Sequence, residues 1–206
     1  MNVLVLFESS GVVRDAFIRA GHNAVSVDLL PSSSELGNHF TRDVEEFLER
    51  QRGTKYDLII AHPPCTALCV SGNHVYAKGK ERFIERANAI NYVEGIWNTC
   101  CMLSDRVCFE NPVGVLPTMS YLPQPQYIQP YNFGEDASKK TGLFLRGLPR
   151  LTNTKRVDGR WVGNKERWAN QTDSGQNRLG PSEERWKERS KTYQGLANAM
   201  ASQWLQ

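Results

Sequence analysis

Asn2-Val3-Leu4-Val5-Leu6-Phe7, closed by Glu8-Ser9-Ser10-Gly11 and followed by residues 12–21 (VVRDAFIRAG), decides the fold class. Asn2–Phe7 reads as a buried strand, with Val3–Phe7 an unbroken apolar run. The next four form a tight polar turn. Val12, Val13, Ala16, Phe17 and Ala20 then recur at helical spacing, and Gly21 supplies the stop.

The alternation continues outward from there. Asn23–Asp28 (NAVSVD) reads as a second strand ending in an acid, and residues 31–38 as a polar loop. Residues 39–44 lead into a short helix over 44–52, and Tyr56–Ala61 is the next strand. A helical stretch over 80–103 carries Phe83, Ala87, Ile90, Val93 and Ile96 on one face, and Arg106–Glu110 is a further strand ended by Asn111-Pro112. Strands alternating with helices predict an α/β fold, Rossmann-like, with a mostly parallel doubly wound sheet. In such sheets ligands lie at the carboxyl ends of the strands. The residues there are Glu8–Gly11, Asp28, His62–Cys65 and Glu110-Asn111.

Further along, Pro125–Tyr131 and Thr141–Leu145 read as strands, 153–180 as a basic loop, and 182–190 and 196–205 as helices. There is no internal repeat and no linker, so the back of the chain is expected to pack on the sheet. The 206 residues, 40% apolar and 23% charged, suit one globular domain rather than long disorder. No run approaches the roughly 18–20 apolar residues of a spanning helix, so no membrane partner is expected. The first residues lack a basic start and a small-residue cleavage site, and five cysteines is an odd number. Both point to reduced thiols in a cytoplasm.

The net charge of +3 hides an asymmetry. Residues 139–191 hold 14 Lys+Arg against 6 Asp+Glu, a balance of +8, and the rest holds 11 against 16, or −5. Four of the five tryptophans (Trp161, Trp168, Trp186, Trp204) also lie in the last quarter. An acidic front and a basic, aromatic back suggest two tasks in one chain.

Three strand ends carry chemistry. The Phe7–Gly11 turn would aim backbone N–H groups and a helix N-terminus at a ligand, and Asp28 stands where doubly wound folds place an acid for ribose hydroxyls. One glycine is far short of a dinucleotide fingerprint, and an ordinary strand–helix turn is the plain alternative. In His62-Pro63-Pro64-Cys65-Thr66 two prolines stiffen the backbone that presents Cys65, a candidate nucleophile activated by nearby dipoles and charges. The alternatives are an inert buried thiol, or zinc held by His62, Cys65 and Cys69, whose spacing fits no common zinc pattern. Glu110, ending the next strand, would face the same crevice and protonate or hydrogen-bond a ring that Cys65 attacks. A strand-end acid that merely caps a turn is the alternative there.

Phe7-Glu8-Ser9-Ser10-Gly11, Asp28, Asp43, Pro63-Pro64-Cys65, Glu110-Asn111 and Gly195-Leu196-Ala197-Asn198-Ala199 follow the order of motifs in cytosine-C5 DNA methyltransferases. The chain resembles their short, phage-type relatives from its first strand to its last helix. The resemblance implies S-adenosylmethionine as cofactor, held by the Phe7–Gly11 turn, with Asp28 on the ribose, Asp43 on the adenine amino group, and Pro63 and Asn198 beside it. It implies that Cys65 attacks C6 of cytosine and that Glu110 engages N3 and the exocyclic amine, with Pro64 and Asn111 lining the base. Arg178–Arg185 resembles the family's penultimate motif, and the location implied is a cytoplasm, that of the host if the chain is phage-encoded.

The chain departs from that pattern in several places. Ser9 and Val12 replace family glycines, Pro112 replaces a valine, and paired substrate-contacting arginines are missing. Lys139 and Lys140 are the candidates for that role. Fewer than thirty residues separate Leu151 from Arg178, too few for the usual target-recognition domain. Amino-group methyltransferases carry an aromatic residue after the paired prolines; Cys65 favours ring-carbon chemistry instead. The expected organisation is a cofactor-binding catalytic core over 1–150, a substrate-contacting segment over 151–180, and C-terminal helices over 181–206. In that segment Arg160, Trp161, Lys165 and Arg167 interleave cations with aromatics, which suits phosphates and stacked bases; a solvated loop whose tryptophans plug the core is the alternative. The expected substrate is cytosine in DNA, duplex or single-stranded. The rivals are a free pyrimidine nucleotide or other nucleobase, and a catalytically idle DNA- or cofactor-binding module of anti-restriction type.

Overall fold

In β1 (Asn2–Leu6) successive side chains go to opposite faces, and both faces are buried. Val3 and Val5 join Val13, Ala16 and Phe17 of helix α1 (Val12–Arg19) on one side of the sheet. Leu4 and Leu6 join Phe47 and Leu48 of α2 (Val44–Arg50) on the other. Beyond the short α3 (Asn73–Tyr76), the long α4 (Phe83–Leu103) covers that second face with Ile90, Val93, Ile96 and Trp97; beyond the short α5 (Leu116–Met119), the C-terminal α6 (Gln194–Gln203) covers the first with Leu196, Ala197 and Met200. A strand buried on both faces must read as continuous apolar sequence, which is why residues 2–7 look as they do.

The computed structural model describes residues 1–182 and 190–204. Its main sheet contains β1, β2 (Asn23–Asp28), β3 (Asn38–Thr41), β4 (Leu58–Ala61), β5 (Val107–Pro112), β6 (Gln126–Ile128) and β7 (Thr141–Arg146), in the order β3-β2-β1-β4-β5-β7-β6. The pairs from β3 through β5 are parallel, and β7 lies antiparallel between β5 and β6. Helices on both faces of this sheet make it the doubly wound, Rossmann-like α/β fold expected from the sequence. Among the described residues no helix is long and apolar enough to cross a membrane.

Two elements differ from the sequence expectation. Residues 38–41 form the edge strand β3, in register with β2 from Val25↔Asn38 to Asp28↔Thr41. None of its four residues is buried, so it leaves no apolar signature; it exists because β2 offers an open edge. The segment expected as loop contains a hairpin, β8 (Arg160–Val162) with β9 (Lys165–Arg167). Its two-residue turn needs positive φ at the first position, and Gly163 supplies it at φ 57°. Residues 183–189, where a helix and the end of the Arg178–Arg185 motif were expected, lie outside the described residues, as does Trp186.

Candidate active site at the carboxyl ends of β1, β4 and β5

The strand order turns back on itself between β1 and β4, and the crevice of such a sheet opens outside the carboxyl ends of those two strands. Phe7–Gly11 leaves β1 there, His62–Cys65 leaves β4, and Glu110-Asn111 ends β5.

The loop after β4 has few amides of its own to hold it, because Pro63 and Pro64 carry none. It is held by its carbonyls. Asn111 Nδ2 donates to the Pro63 carbonyl at 3.1 Å, and Arg86 Nε of α4 donates to that of Ala67 at 2.7 Å. The Leu68 and Cys69 amides both donate to the Cys65 carbonyl at 3.0 Å, closing one helical turn. Pro63 is thereby buried, Pro64 exposed and Cys65 half-buried.

Beside this loop lies a contact that the sequence reading does not contain. His62 Nδ1 meets Glu110 Oε2 at 2.6 Å, with side chains only 12% and 7% exposed. Burial alone would raise the Glu110 carboxyl, but the hydrogen bond and charge of His62, with the charge of Lys139, bring it down to about 2. For His62 burial favours the neutral ring, and the Glu110 hydrogen bond and the charges of Glu110 and Glu8 outweigh it, so its pKa is raised. Thr192 Oγ1 donates to the same Glu110 oxygen at 3.4 Å. Sequence reasoning weighed His62 only as a metal ligand, although its place one residue past a strand end beside another strand-end acid was a readable signal. Thr192 left none. Among the described residues no group of three His, Cys, Asp or Glu side chains is placed to hold a metal ion.

The Cys65 thiol is raised, not lowered. Burial is the main cause, the charges of Cys69 and Glu110 add to it, and Lys139 opposes them. Of the charges around it, that of Lys139 acts in the expected, activating direction.

The turn after β1 also differs from expectation. Glu8 is buried, and its carboxylate accepts from the Val13 amide at 2.6 Å and the Arg14 amide at 3.2 Å. The N-terminus of α1 is thus capped from within, rather than open to a ligand. Burial raises the Glu8 carboxyl against the charge of His62 and those two amides. Phe7 adopts φ 58°, the one non-glycine residue with positive φ among those described. Gly11 (φ 74°) is obligatory, since a Cβ there would lie 2.7 Å from Arg14 Nη2 and 2.9 Å from Ser34 Cβ. Ser9 accepts the Ser33 amide through its carbonyl, and Ser10 Oγ reaches Glu8 at 3.4 Å. Asp28, half-buried, takes the Leu30 amide on Oδ1, and Asp43 caps α2 through the Glu46 amide. Asp28 Oδ2 has no hydrogen bond among the described residues.

Lys139 and Lys140 part company. Lys139, its amide held by Gln129 Oε1 at 3.0 Å, donates from Nζ to the Lys191 carbonyl at 3.4 Å, and its charge acts on Cys65, His62 and Glu110. Lys140 lies over the Tyr127 ring at 4.6 Å. In the hairpin, Arg160 bonds the Trp168 and Gln171 carbonyls and Asp173, and Arg167 bonds the Asp173 and Glu166 carbonyls. These two arginines hold the hairpin together. Trp161, 71% exposed, and the exposed Lys165 remain on its surface. Trp168 is buried, stacked on Tyr131 at 3.9 Å. Asn198 is exposed on α6, and its Oδ1 accepts from Gln194 Nε2 at 2.8 Å.

Two buried polar atoms at this crevice have no partner among the described residues, His62 Nε2 and Asn111 Oδ1. An unsatisfied buried group costs about 1–3 kcal/mol, so both are natural partners for a polar ligand.

No family model and no curated protein matches the chain. Among solved structures it is similar to a substituted DNMT2 from Spodoptera frugiperda, 17% identical over 76% of this chain and 53% of that one, with a TM-score of 0.44. It is also similar to WbdD with a kinase inhibitor, 14% identical over 76% of this chain and 42% of that one, with a TM-score of 0.40. A second WbdD structure, described as a bifunctional kinase-methyltransferase, is 12% identical over 74% of this chain and 38% of that one, with a TM-score of 0.42. The chain spans about half, or less, of the length of these proteins.

Proposed function

We propose that this chain is an S-adenosylmethionine-dependent methyltransferase that methylates C5 of cytosine in DNA through a covalent adduct at Cys65. The observation that supports it most is the convergence of Pro63-Pro64-Cys65 and Glu110-Asn111 on one crevice, tied by the Asn111–Pro63 hydrogen bond. A nucleophile and a buried carboxyl side by side suit addition to a pyrimidine ring.

The residues present fit the cofactor. The uncommitted Asp28 Oδ2 suits ribose hydroxyls, the Phe7–Gly11 turn and Pro63 would flank the amino-acid portion, and Asp43 would meet the adenine. Bound S-adenosylmethionine supplies an electrophilic methyl group. Cys65 would give its thiol proton to solvent water, with the charge of Lys139 favouring the thiolate, and its Sγ would then bond to C6 of the base and raise the electron density at C5. Glu110 would engage N3 and the exocyclic amine. After methyl transfer, loss of the C5 proton lets the Cys65–C6 bond break. Trp161 and Lys165 would take a base face and a phosphate of the DNA, and Pro64 would touch the extruded base.

A second reading keeps the chemistry and takes a free pyrimidine nucleotide; it is favoured by the size of the hairpin, two strands of three residues. Labelled S-adenosylmethionine offered with oligonucleotides, dCMP or dCTP separates the readings. Methyl transfer to oligonucleotides is expected. Transfer to nucleotides alone overturns the DNA substrate, and transfer to neither leaves a binding module.

A further inference from the structure

The parallel register of β4 and β5, ending at Ala61↔Phe109, places the next pair, His62 and Glu110, side by side at the mouth of the crevice. The His62 backbone is fixed there by its amide on the Leu6 carbonyl at 3.0 Å. Its Nδ1 is 2.6 Å from Glu110 Oε2, while Nε2 has no partner among the described residues. The imidazole proton facing the carboxylate is therefore the one on Nδ1. The charged groups around the pair are Glu8 from the β1 turn and Lys139 from the loop before β7, with the Cys65 thiol beside them and the Thr192 hydroxyl on Glu110.

We propose that His62 is a positioning residue that holds Glu110 as a carboxylate before a base binds and gives it a proton when a pyrimidine ring enters. This rests on the methyltransferase reading above. A carboxylate and the N3 of cytosine are both acceptors, so Glu110 alone would repel the atom that it must hold. As Cys65 Sγ bonds to C6, N3 becomes more basic. The Nδ1–H bond of the His62 imidazolium then breaks and an O–H bond forms on Glu110, leaving neutral imidazole with its remaining proton on Nε2. The carboxyl donates that proton to N3. When the Cys65–C6 bond breaks, the proton returns by the same path, so no proton is gained or lost by the pair.

The test is a carbon-13 NMR titration of the Glu110 carboxyl, assigned with Glu110→Gln, in the wild-type chain and in His62→Gln. Wild-type Glu110 should stay ionised through mildly acidic pH, and its midpoint should rise by about one unit or more in His62→Gln. An unchanged midpoint overturns the proposal. In single-turnover methyl transfer, His62→Gln should be slower by about 10²-fold. Its rate should also begin to fall at lower pH than that of the wild type, where the fall follows loss of the His62 proton. An unchanged pH profile overturns the relay as well. If neither protein transfers a methyl group, the titration still decides the His62–Glu110 coupling, and the failure belongs to the methyltransferase reading alone. Should His62→Gln not fold, the wild-type titration decides: His62 and Glu110 must titrate as a coupled pair, and independent midpoints overturn the proposal.

Discussion

Asn111 Nδ2 donates to the Pro63 carbonyl at 3.1 Å, so the end of β5 carries the proline loop that presents Cys65. Asn111→Ala leaves that buried carbonyl unpaired and frees the loop. Methyl transfer should fall by about 10²-fold, mainly in kcat, because a displacement near 1 Å is enough for that. The unfolding free energy should fall by about 1–3 kcal/mol. Kinetics and thermal unfolding on one preparation check both, and an unchanged kcat would show that the loop is held some other way.

Acid should weaken the fold through Glu110. Its carboxyl is held below the ordinary 4.5, at about 2, so its stabilisation is complete above 4.5 and is lost as the pH falls through 2. His62 is raised above 6.5, so its share is complete below 6.5 and is lost as the pH rises through the folded value. The pair stabilises most between these limits. Glu8, raised in the fold, works against Glu110 and softens the acid loss. Urea unfolding from pH 3 to 9 should show the maximum near pH 5–6, and His62→Gln should flatten both flanks.

The hairpin tryptophans should separate folding from binding. Trp168, buried and stacked on Tyr131, should cost about 3–5 kcal/mol of stability as Trp168→Ala. Trp161→Ala should leave the melting temperature nearly unchanged and weaken binding to single-stranded DNA by about 1–3 kcal/mol. Denaturation and fluorescence anisotropy measure the two effects; equal DNA affinity in Trp161→Ala would remove this residue from the interface.

Two glycines should respond in opposite senses to alanine. A Cβ at Gly195 would lie 1.8 Å from the Phe133 carbonyl oxygen, a backbone clash that α6 cannot relieve without shifting. Gly195→Ala should destabilise by about 2–4 kcal/mol. Gly95, inside α4, has nothing within 4 Å of its Cβ position, and Gly95→Ala should stabilise by about 0.5–1 kcal/mol. Differential scanning calorimetry on the pair gives both signs.

The fold was legible where burial is continuous. Residues 2–7 and 56–61 read as central strands because both of their faces meet helices, and α4 showed its period through Ile90, Val93 and Ile96. The edge strand β3 and the three-residue strands β8 and β9 were not, because exposed pairing leaves no apolar pattern. The strand-end rule put Cys65 just after β4 and Glu110 and Asn111 at the end of β5, where the structure has them, yet the partners of these side chains lay beyond it. Glu8 faces inward to cap α1, Lys139 and Lys140 diverge, and Thr192 comes from 82 residues away to reach Glu110. Such contacts depend on tertiary register, which a single sequence does not display.

The most direct test of the central claim is the covalent trap. The chain is incubated with S-adenosylmethionine and oligonucleotides containing 5-fluorocytosine, in which C5 carries no proton to lose and the adduct cannot resolve. A stable protein–DNA species, mapped by mass spectrometry to Cys65 and absent from Cys65→Ala, is the predicted result. No adduct across a broad set of sequences, single- and double-stranded, or an adduct at any other residue, would contradict it.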